Sequence, residues 1–240
     1  MHLTPRTPIL ITALTSLLLL SACGSDDKNS SISDTEGDIH FRATITTNWS
    51  GANFPTQYPG GAHWSSPIGT VHNEQVIFWR ENDQPASDGI EVMAESGGTE
   101  ALTSEINTAK SSGYSQGLVK MNSIGSGSGS SSIEFSTTDD FTLFTIVSMI
   151  APSPDWFIGV DSFNLKEGGE WIDEIEIRLP LYDAGTDAGL SFTSADSDTG
   201  GEGLPITLVT TERSDSDFSS GIHYDSAEYV ANLTIERIQR

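Results

Sequence analysis

Cysteine is almost absent from the sequence, since Cys23 is the only one among 240 residues. A lone cysteine cannot form an internal disulfide, so a secreted domain of this chain depends on burial, hydrogen bonds and any bound metal. The same absence removes the downstream cysteine pair that a zinc deaminase needs beside an H-x-E motif such as His72-Asn73-Glu74.

Basic residues are also scarce, with 11 Lys and Arg against 34 Asp and Glu, which gives a formal net charge of −23. Such a charge repels nucleic acid and anionic lipid, and it attracts divalent cations. Many secreted bacterial proteins are equally acidic simply because acidity keeps them soluble. The charge therefore excludes nucleic-acid binding, and by itself it leaves calcium binding open.

The apolar run at residues 9–20 is too short for an ordinary membrane span. It follows Arg6 and has the length of the apolar part of a signal peptide. The next residues, Leu20-Ser21-Ala22-Cys23, resemble the lipobox of bacterial lipoproteins. In that family a lipid is attached to the cysteine, and cleavage makes it the first mature residue. The alternative is an ordinary secretory signal followed by a chance cysteine.

The lipobox divides the chain into three predicted parts. Residues 1–22 form a lipoprotein signal peptide, and Cys23 is the lipidation site. Residues 23–37 carry almost no apolar side chains, which predicts a flexible tether. Residues 38–240 are long enough for one domain with its own core. Gly24 resembles the default outer-membrane sorting signal of Gram-negative bacteria, so we expect a lipid anchor in that membrane, with the domain on its periplasmic or cell-surface face.

Alternation of apolar and polar residues predicts half-buried strands at residues 41–49, 175–179 and 229–237. Two other runs, residues 76–79 and 141–150, have apolar residues at both odd and even positions. This pattern predicts central strands buried on both faces.

Helical spacing is confined to residues 90–94 and 102–109, and Thr99 is predicted to be the N-cap of the second helix. The Gly/Ser-rich residues 123–132 are predicted to form a flexible loop. Together these patterns predict an all-β fold, an antiparallel β-sandwich with short helical insertions.

Enzyme signatures in the sequence are weak. Residues 113–117 match G-x-S-x-G around Ser115, but that nucleophile elbow needs a strand before it and a helix after it. Here a helical segment precedes the serine and a loop region follows. An EF-hand pattern starting at Asp196 fails because its twelfth position is Thr207. We expect no catalytic residue, and a secreted hydrolase using Ser115 or a carboxylate pair is the rival hypothesis.

The DAGTD segment of residues 183–187 has the composition of a cation-binding loop. Gly185 and Gly189 permit a tight turn that brings Asp183 and Asp187 together, and a hard cation such as Ca²⁺ favours such oxygens. Asp155 follows two prolines and offers a third carboxylate. The alternative is a solvated turn in which the aspartates bond only to nearby backbone.

A family resemblance follows from these motifs. PSPDWFIGVDS at residues 152–162, Trp171 and LYDAGTDAG at residues 181–189 together resemble the spondin domain, the N-terminal module of F-spondin and its relatives. The resemblance covers nearly all of residues 39–240. It implies a C2-like antiparallel β-sandwich with a bound Ca²⁺, whose ligands correspond to Asp155, Asp183 and Asp187.

The chain departs from animal members of that family between the two motifs. Those members usually carry cysteines there, where this chain has residues 164–170. Loss of a disulfide weakens the link between the two metal loops without removing a ligand. Asp161 and Asp196 lie near the motifs in sequence, and we expect their carboxylate oxygens to lie around the metal site, outside the direct ligands.

The expected function is that of a lipid-anchored, calcium-binding surface protein without catalytic activity. The resemblance implies adhesion, or binding of an extracellular protein or glycan partner. A third hypothesis is a carbohydrate-binding module in which Trp64, beside His63, or Trp79 stacks on sugars. We expect core packing for both tryptophans instead, because that is their commoner fate in a sandwich.

Overall fold

The described part of the chain is an all-β sandwich, as predicted. A computed structural model describes residues 38–55, 58–199, 203–209 and 229–239. The predicted signal peptide, Cys23 and the tether lie outside these residues. Two antiparallel sheets pack against each other, and two short helices are the only helices of the described residues.

The described residues contain thirteen strands and two helices. In chain order they are β1 (Ile39–Asn48), β2 (His63–Trp64), β3 (Ile68–His72), α1 (Asp88–Ser96), α2 (Glu100–Ser111), β4 (Ser115–Lys120), β5 (Ser128–Thr137), β6 (Leu143–Ala151), β7 (Trp156–Asn164), β8 (Lys166–Glu167), β9 (Glu170–Trp171), β10 (Glu174–Leu179), β11 (Leu181–Asp183), β12 (Thr207–Leu208) and β13 (Ala231–Ile238).

The smaller sheet has the strand order β10-β13-β1-β5. Its inward positions alternate along each strand, as the period of two predicted: Phe41, Ala43 and Ile45 of β1 are buried, and so are Leu233 and Ile235 of β13. These side chains form the core between the two sheets.

The larger sheet has the order β12-β11-β7-β6-β3-β4, and β2 pairs with β6. Its outer face is covered by α1, α2 and the segment before α1, which together form a second core. Ile90 and Met93 of α1 pack there with Val147 of β6 and Phe157 of β7. Because both faces are covered, β6 is buried almost throughout, which confirms the prediction from residues 141–150.

Both predicted helices are present. Ser87 caps α1 by accepting a hydrogen bond from Ile90 N at 3.3 Å, and Gly97 ends it at a φ of 70°. Thr99 directly precedes α2, as predicted, but its side chain makes no cap bond. Its hydroxyl accepts a hydrogen bond from Lys120 Nζ at 2.7 Å instead.

Two local predictions are wrong. Residues 76–79 form no strand; they lie across the outer face of the larger sheet, where Phe78 and Trp79 are buried without strand pairing. Residues 128–132, predicted as part of a loop, are the first half of β5 and pair with β1. Small polar residues are tolerated there because that part of β5 faces solvent, while Phe135 is buried further along the strand.

Among the described residues, neither helix has the length and apolar character that crossing a membrane requires.

Candidate metal centre

Strand pairing brings two of the predicted ligands together. Asp155 lies in the bend between β6 and β7, and Asp183 is the last residue of β11. Because β11 pairs with β7 so that Asp183 lies opposite Trp156, the two aspartates are neighbours across the strands. Ala184 N donates to Asp155 O at 3.1 Å and extends this pairing into the DAGTD loop.

Asp155 is fully buried, and one edge of its carboxylate is fixed by the DAGTD loop. Its Oδ2 accepts hydrogen bonds from Thr186 N at 2.8 Å and Asp187 N at 3.1 Å. Its Oδ1 is buried and has no hydrogen-bond partner among the described residues. A buried carboxylate oxygen without a partner is costly, so this atom marks a position suited to a cation or an ordered water.

The other two aspartates shape the loop that contains them. Asp183 Oδ1 accepts from Gly185 N at 2.9 Å, and Gly185 has a φ of 75°, which favours glycine. Asp187 Oδ1 accepts from Gly189 N at 2.6 Å, and its Oδ2 accepts from Ser197 N at 3.0 Å. These are the turns expected of D-x-G sequences, and they leave both aspartates almost wholly buried.

The electrostatics of this corner are unfavourable to negative charge. Burial, followed by the nearby Asp183 charge, raises the pKa of Asp155 to about 7. The backbone N–H groups of Asp187 and Thr186 oppose that rise. Deprotonated Asp155 is therefore poorly compensated by the described residues, and a cation would reverse that imbalance.

The residues fit a hard cation in chemistry and burial. All three predicted side chains supply carboxylate oxygen, and Asp155 Oδ1 is an orphaned donor atom for a metal. No three Asp, Glu, His or Cys side chains of the described residues are, however, already placed as a set to hold a metal ion. Several carboxylate oxygens are instead engaged by backbone N–H groups, so joint ligation requires these carboxylates to change position.

A fourth carboxylate, which the sequence did not predict as part of the site, lies beside this loop. Glu95 in α1 lies close enough to the Thr186 side chain for that group to lower its pKa, and its Oε1 is buried without a hydrogen-bond partner among the described residues. Burial, ahead of the charges of Glu91, Asp187 and Asp196, raises the pKa of Glu95. A signal for Glu95 existed in its acidity near the end of a helix, where the helix dipole disfavours negative charge.

Of the two aspartates expected around the metal site, Asp196 lies near Glu95 of this site and Asp161 is paired elsewhere. Asp196 lies close enough to Glu95 to affect its pKa. Asp161 instead forms an ion pair with Arg80, from Nε to Oδ2 at 3.0 Å, and accepts a hydrogen bond from Ser162. Asp161 is thus committed to a partner outside the DAGTD loop.

Ser115, the rival nucleophile, is 2% exposed and is the first residue of β4. A helix precedes it and a strand follows, which is the reverse of the nucleophile elbow. Its hydroxyl lies 2.7 Å from that of Thr70, and His72 nearby points its Nε2 at Thr145 Oγ1. Among the described residues no base hydrogen-bonds to the Ser115 hydroxyl, and the side chain is buried.

Trp64 and Trp79 are core residues. Trp64 is 0% exposed and donates from Nε1 to Gly127 O at 2.9 Å, while Trp79 packs edge-on against Tyr182 with ring centroids 4.9 Å apart. The partly buried Trp171 lies under Lys166, whose Nζ is 4.6 Å from the ring centroid. The expected core packing of Trp64 and Trp79 is confirmed, and neither presents a face for stacking on a sugar.

Comparisons of this sequence with known proteins all point to the spondins. The family model described as Spondin_N matches residues 39–231. Spondin-2 of Homo sapiens is 34% identical over 239 residues, which covers 95% of this chain and 71% of the relative. Spondin-2 of Rattus norvegicus is 34% identical over 209 residues, or 83% of this chain and 62% of the relative. Spondin-1 of Rattus norvegicus is 31% identical over 221 residues, and the chain spans only 26% of that relative's length.

Proposed function

The chain belongs to the Spondin_N family, and on that premise we propose that it is an extracellular, non-catalytic spondin-domain protein that binds one Ca²⁺. The ligands are Asp155, Asp183 and Asp187. The proposal includes a lipid anchor on Cys23 and a role in adhesion to an extracellular protein or glycan partner.

One observation carries the calcium proposal: the fully buried Asp155 carboxylate, whose Oδ1 has no partner in the described residues while Asp183 lies beside it. A bound Ca²⁺ would supply the positive charge that this pair of carboxylates lacks. Flexible coordination by six to eight oxygens suits a site built from two turns and a bend, whereas Mg²⁺ demands tighter octahedral geometry.

The direct test is thermal unfolding of the chain in chelator and in calcium. Extracellular calcium modules bind with a Kd of about 10⁻⁴ to 10⁻³ M, so ~10 mM Ca²⁺ stabilises the fold by roughly 1.4 to 2.7 kcal/mol. That free energy raises Tm by about 3 to 10 °C for a domain of this size. Equal Mg²⁺ should raise Tm less, and Asp183→Ala and Asp187→Ala should lose most of the calcium response.

Identical melting curves in chelator and in calcium would remove the proposed site. A matched control is Asp173→Ala, because Asp173 is an exposed aspartate that pairs with Arg237. That variant should keep the full calcium response.

Absence of catalysis is tested with a serine-reactive probe. The proposal requires that Ser115 stay unlabelled in the folded protein, since its hydroxyl is buried against Thr70. Labelling at Ser115, or a hydrolytic activity lost in Ser115→Ala, would favour the hydrolase instead.

A further inference from the structure

Glu95 occupies an unusual position for a carboxylate. It lies in the last turn of α1, where the helix carries no basic residue and the partial negative charge of the helix end repels an acid. Its Oε1 is buried and has no hydrogen-bond partner among the described residues. The charges of Glu91, Asp187 and Asp196 act on it, and all three are negative.

Thr186 connects Glu95 to the centre of the metal loop. The Thr186 side chain lies close enough to the Glu95 carboxylate to lower its pKa, and the Thr186 hydroxyl also lies 3.4 Å from Asp155 Oδ2. The backbone N–H of Thr186 donates to that same Oδ2 at 2.8 Å. A threonine hydroxyl has one proton to donate, so Glu95 and Asp155 compete for it.

Thr186 therefore adjoins two carboxylates, Asp155 and Glu95, and each of them has one buried oxygen without a hydrogen-bond partner among the described residues. Two such oxygens on different elements are costly in an empty site and favourable around a cation. Glu95 does not form a ready ligand set with two other acids, so its contribution acts through Thr186, through water and through its charge.

Resting on the proposed calcium site, we infer that Glu95 is a positioning residue of that site, which raises its calcium affinity and couples helix α1 to ion binding. The helix is part of the cover of the larger sheet, and Glu95 gives that cover a direct link to the metal loop. Calcium binding therefore tightens α1 as well as the two aspartate loops.

The effect of removing this charge can be estimated from Coulomb's law. Removing a negative charge close to a divalent ion weakens the binding of that ion, and the loss is larger where the protein lowers the effective dielectric constant. We expect Glu95→Gln to weaken calcium binding at least roughly threefold, because water and counter-ions screen part of the interaction.

The experiment is a calcium titration of the full chain in detergent, followed by isothermal calorimetry, with the melting temperature in chelator measured alongside. Glu95→Gln is compared with Glu176→Gln, which removes the same charge from the exposed face of β10. Glu95→Gln should bind calcium at least threefold more weakly and yet melt higher than wild type in chelator. Glu176→Gln should keep the wild-type Kd within a factor of two.

Hydrogen exchange supplies a second readout that a loss of folding would not imitate. Calcium should slow amide exchange in the last turn of α1 in wild type, and much less so in Glu95→Gln. A wild type that binds calcium, with a Glu95→Gln variant of equal Kd and equal protection of α1, overturns the role of Glu95 alone. A wild type that binds no calcium overturns the proposed site, and the role of Glu95 with it.

Discussion

Asp155 carries a charge that the folded protein opposes when no cation is present. Its pKa is about 7 in the folded state and about 3.9 in an unfolded chain. Between these values the folded state binds more protons than the unfolded state, so the free energy of unfolding decreases as pH rises. The penalty is complete above pH ~7 and absent below pH ~4, which is the reverse of a salt-bridged aspartate.

The chelator-treated protein should therefore lose stability as pH rises from about 4.5 to 7.5. A folded-state pKa of about 7 against about 3.9 in the unfolded chain corresponds to an upper limit of about 4 kcal/mol. Melting curves recorded in chelator across this range measure the loss, and millimolar calcium should abolish it because the ion favours ionised Asp155. His72 acts in the opposite direction, since burial lowers its pKa and its contribution is lost below pH ~6.5.

Asp155→Asn separates the cost of the buried charge from the stabilisation by bound calcium. The variant is expected to be more stable than wild type without calcium and less stable with it. The asparagine Oδ1 can accept the N–H bonds of Thr186 and Asp187, while its NH₂ group carries no charge in the buried site. In chelator at pH 8 the variant should melt above wild type. In 10 mM calcium it should melt below wild type, and its own curve should not move. A full calcium response in Asp155→Asn would contradict the assignment of this ligand.

The sequence allowed the three aspartates to be predicted as one site, because two compact motifs carry them. Glu95 could not be assigned, because it lies 60 residues before Asp155 and reaches the loop only through the packing of α1. Asp161 was expected nearby, but it lies six residues further along extended chain, or about 20 Å. Because a strand is extended, a few residues of sequence separation move a side chain far from the loop. The short sequence distance between Asp155 and Asp161 was therefore misleading.

At the scale of elements, the larger sheet depends on a close approach at Gly69. This residue lies in β3, between β4 and β6, and pairs with Val119 and Ile146. A Cβ added there would lie 1.9 Å from Thr145 O and 2.7 Å from Ile146 Cα. Both contacts are with backbone of a central strand, so no flexible side chain can move aside.

Gly69→Ala should therefore destabilise the domain by about 3 kcal/mol or more, as overpacking against backbone does. Chemical denaturation of the purified variants measures the change. Gly60→Ala is the matched control, because a Cβ at Gly60 meets nothing within 4 Å, and its effect should stay within about 0.5 kcal/mol. Equal stability of both variants would show that β3 and β6 can separate without cost.

The alternation of apolar and polar residues correctly predicted strands that have one buried face. It failed for segments whose conformation is set by packing against distant parts of the chain. β1, β10 and β13 alternate because solvent lies on one side of the smaller sheet. Residues 76–79 have the composition of a strand, yet they cover a sheet face, a use of apolar side chains that composition does not distinguish. Residues 128–132 have the composition of a loop, and their pairing with β1 is set by partners 80 or more residues away in the sequence.

For the whole molecule, the sandwich was predictable from the number and spacing of strands, and the family match supports it. The arrangement of α1 and α2 as a cover on the larger sheet was not, because helical periodicity identifies an apolar face without its partner. The covered sheet explains why β6 is apolar on both faces.

Attachment to a membrane is predicted to depend on Cys23 alone. Cys23→Ser removes the thiol that a lipidated protein needs, so the variant should appear in the soluble fraction after cell lysis while the wild type sediments with membranes. Its melting curve in calcium, measured after purification, should match that of the wild type, because Cys23 precedes the predicted domain. Continued sedimentation of Cys23→Ser with membranes would contradict the lipobox interpretation.

The position of β1 has a mechanical consequence for an anchored protein. β1 begins the domain, lies in the interior of the smaller sheet, and is antiparallel to β13 on one side and β5 on the other along its length. If the N-terminus is anchored as proposed, a load along the axis of β1 acts at right angles to the hydrogen bonds of this strand. Its hydrogen bonds lie across that axis, so the load shears both ladders at once and cannot unzip them one bond at a time. The strand that first receives the load is thus held by hydrogen bonds on both sides, whereas an edge strand is held on one side only.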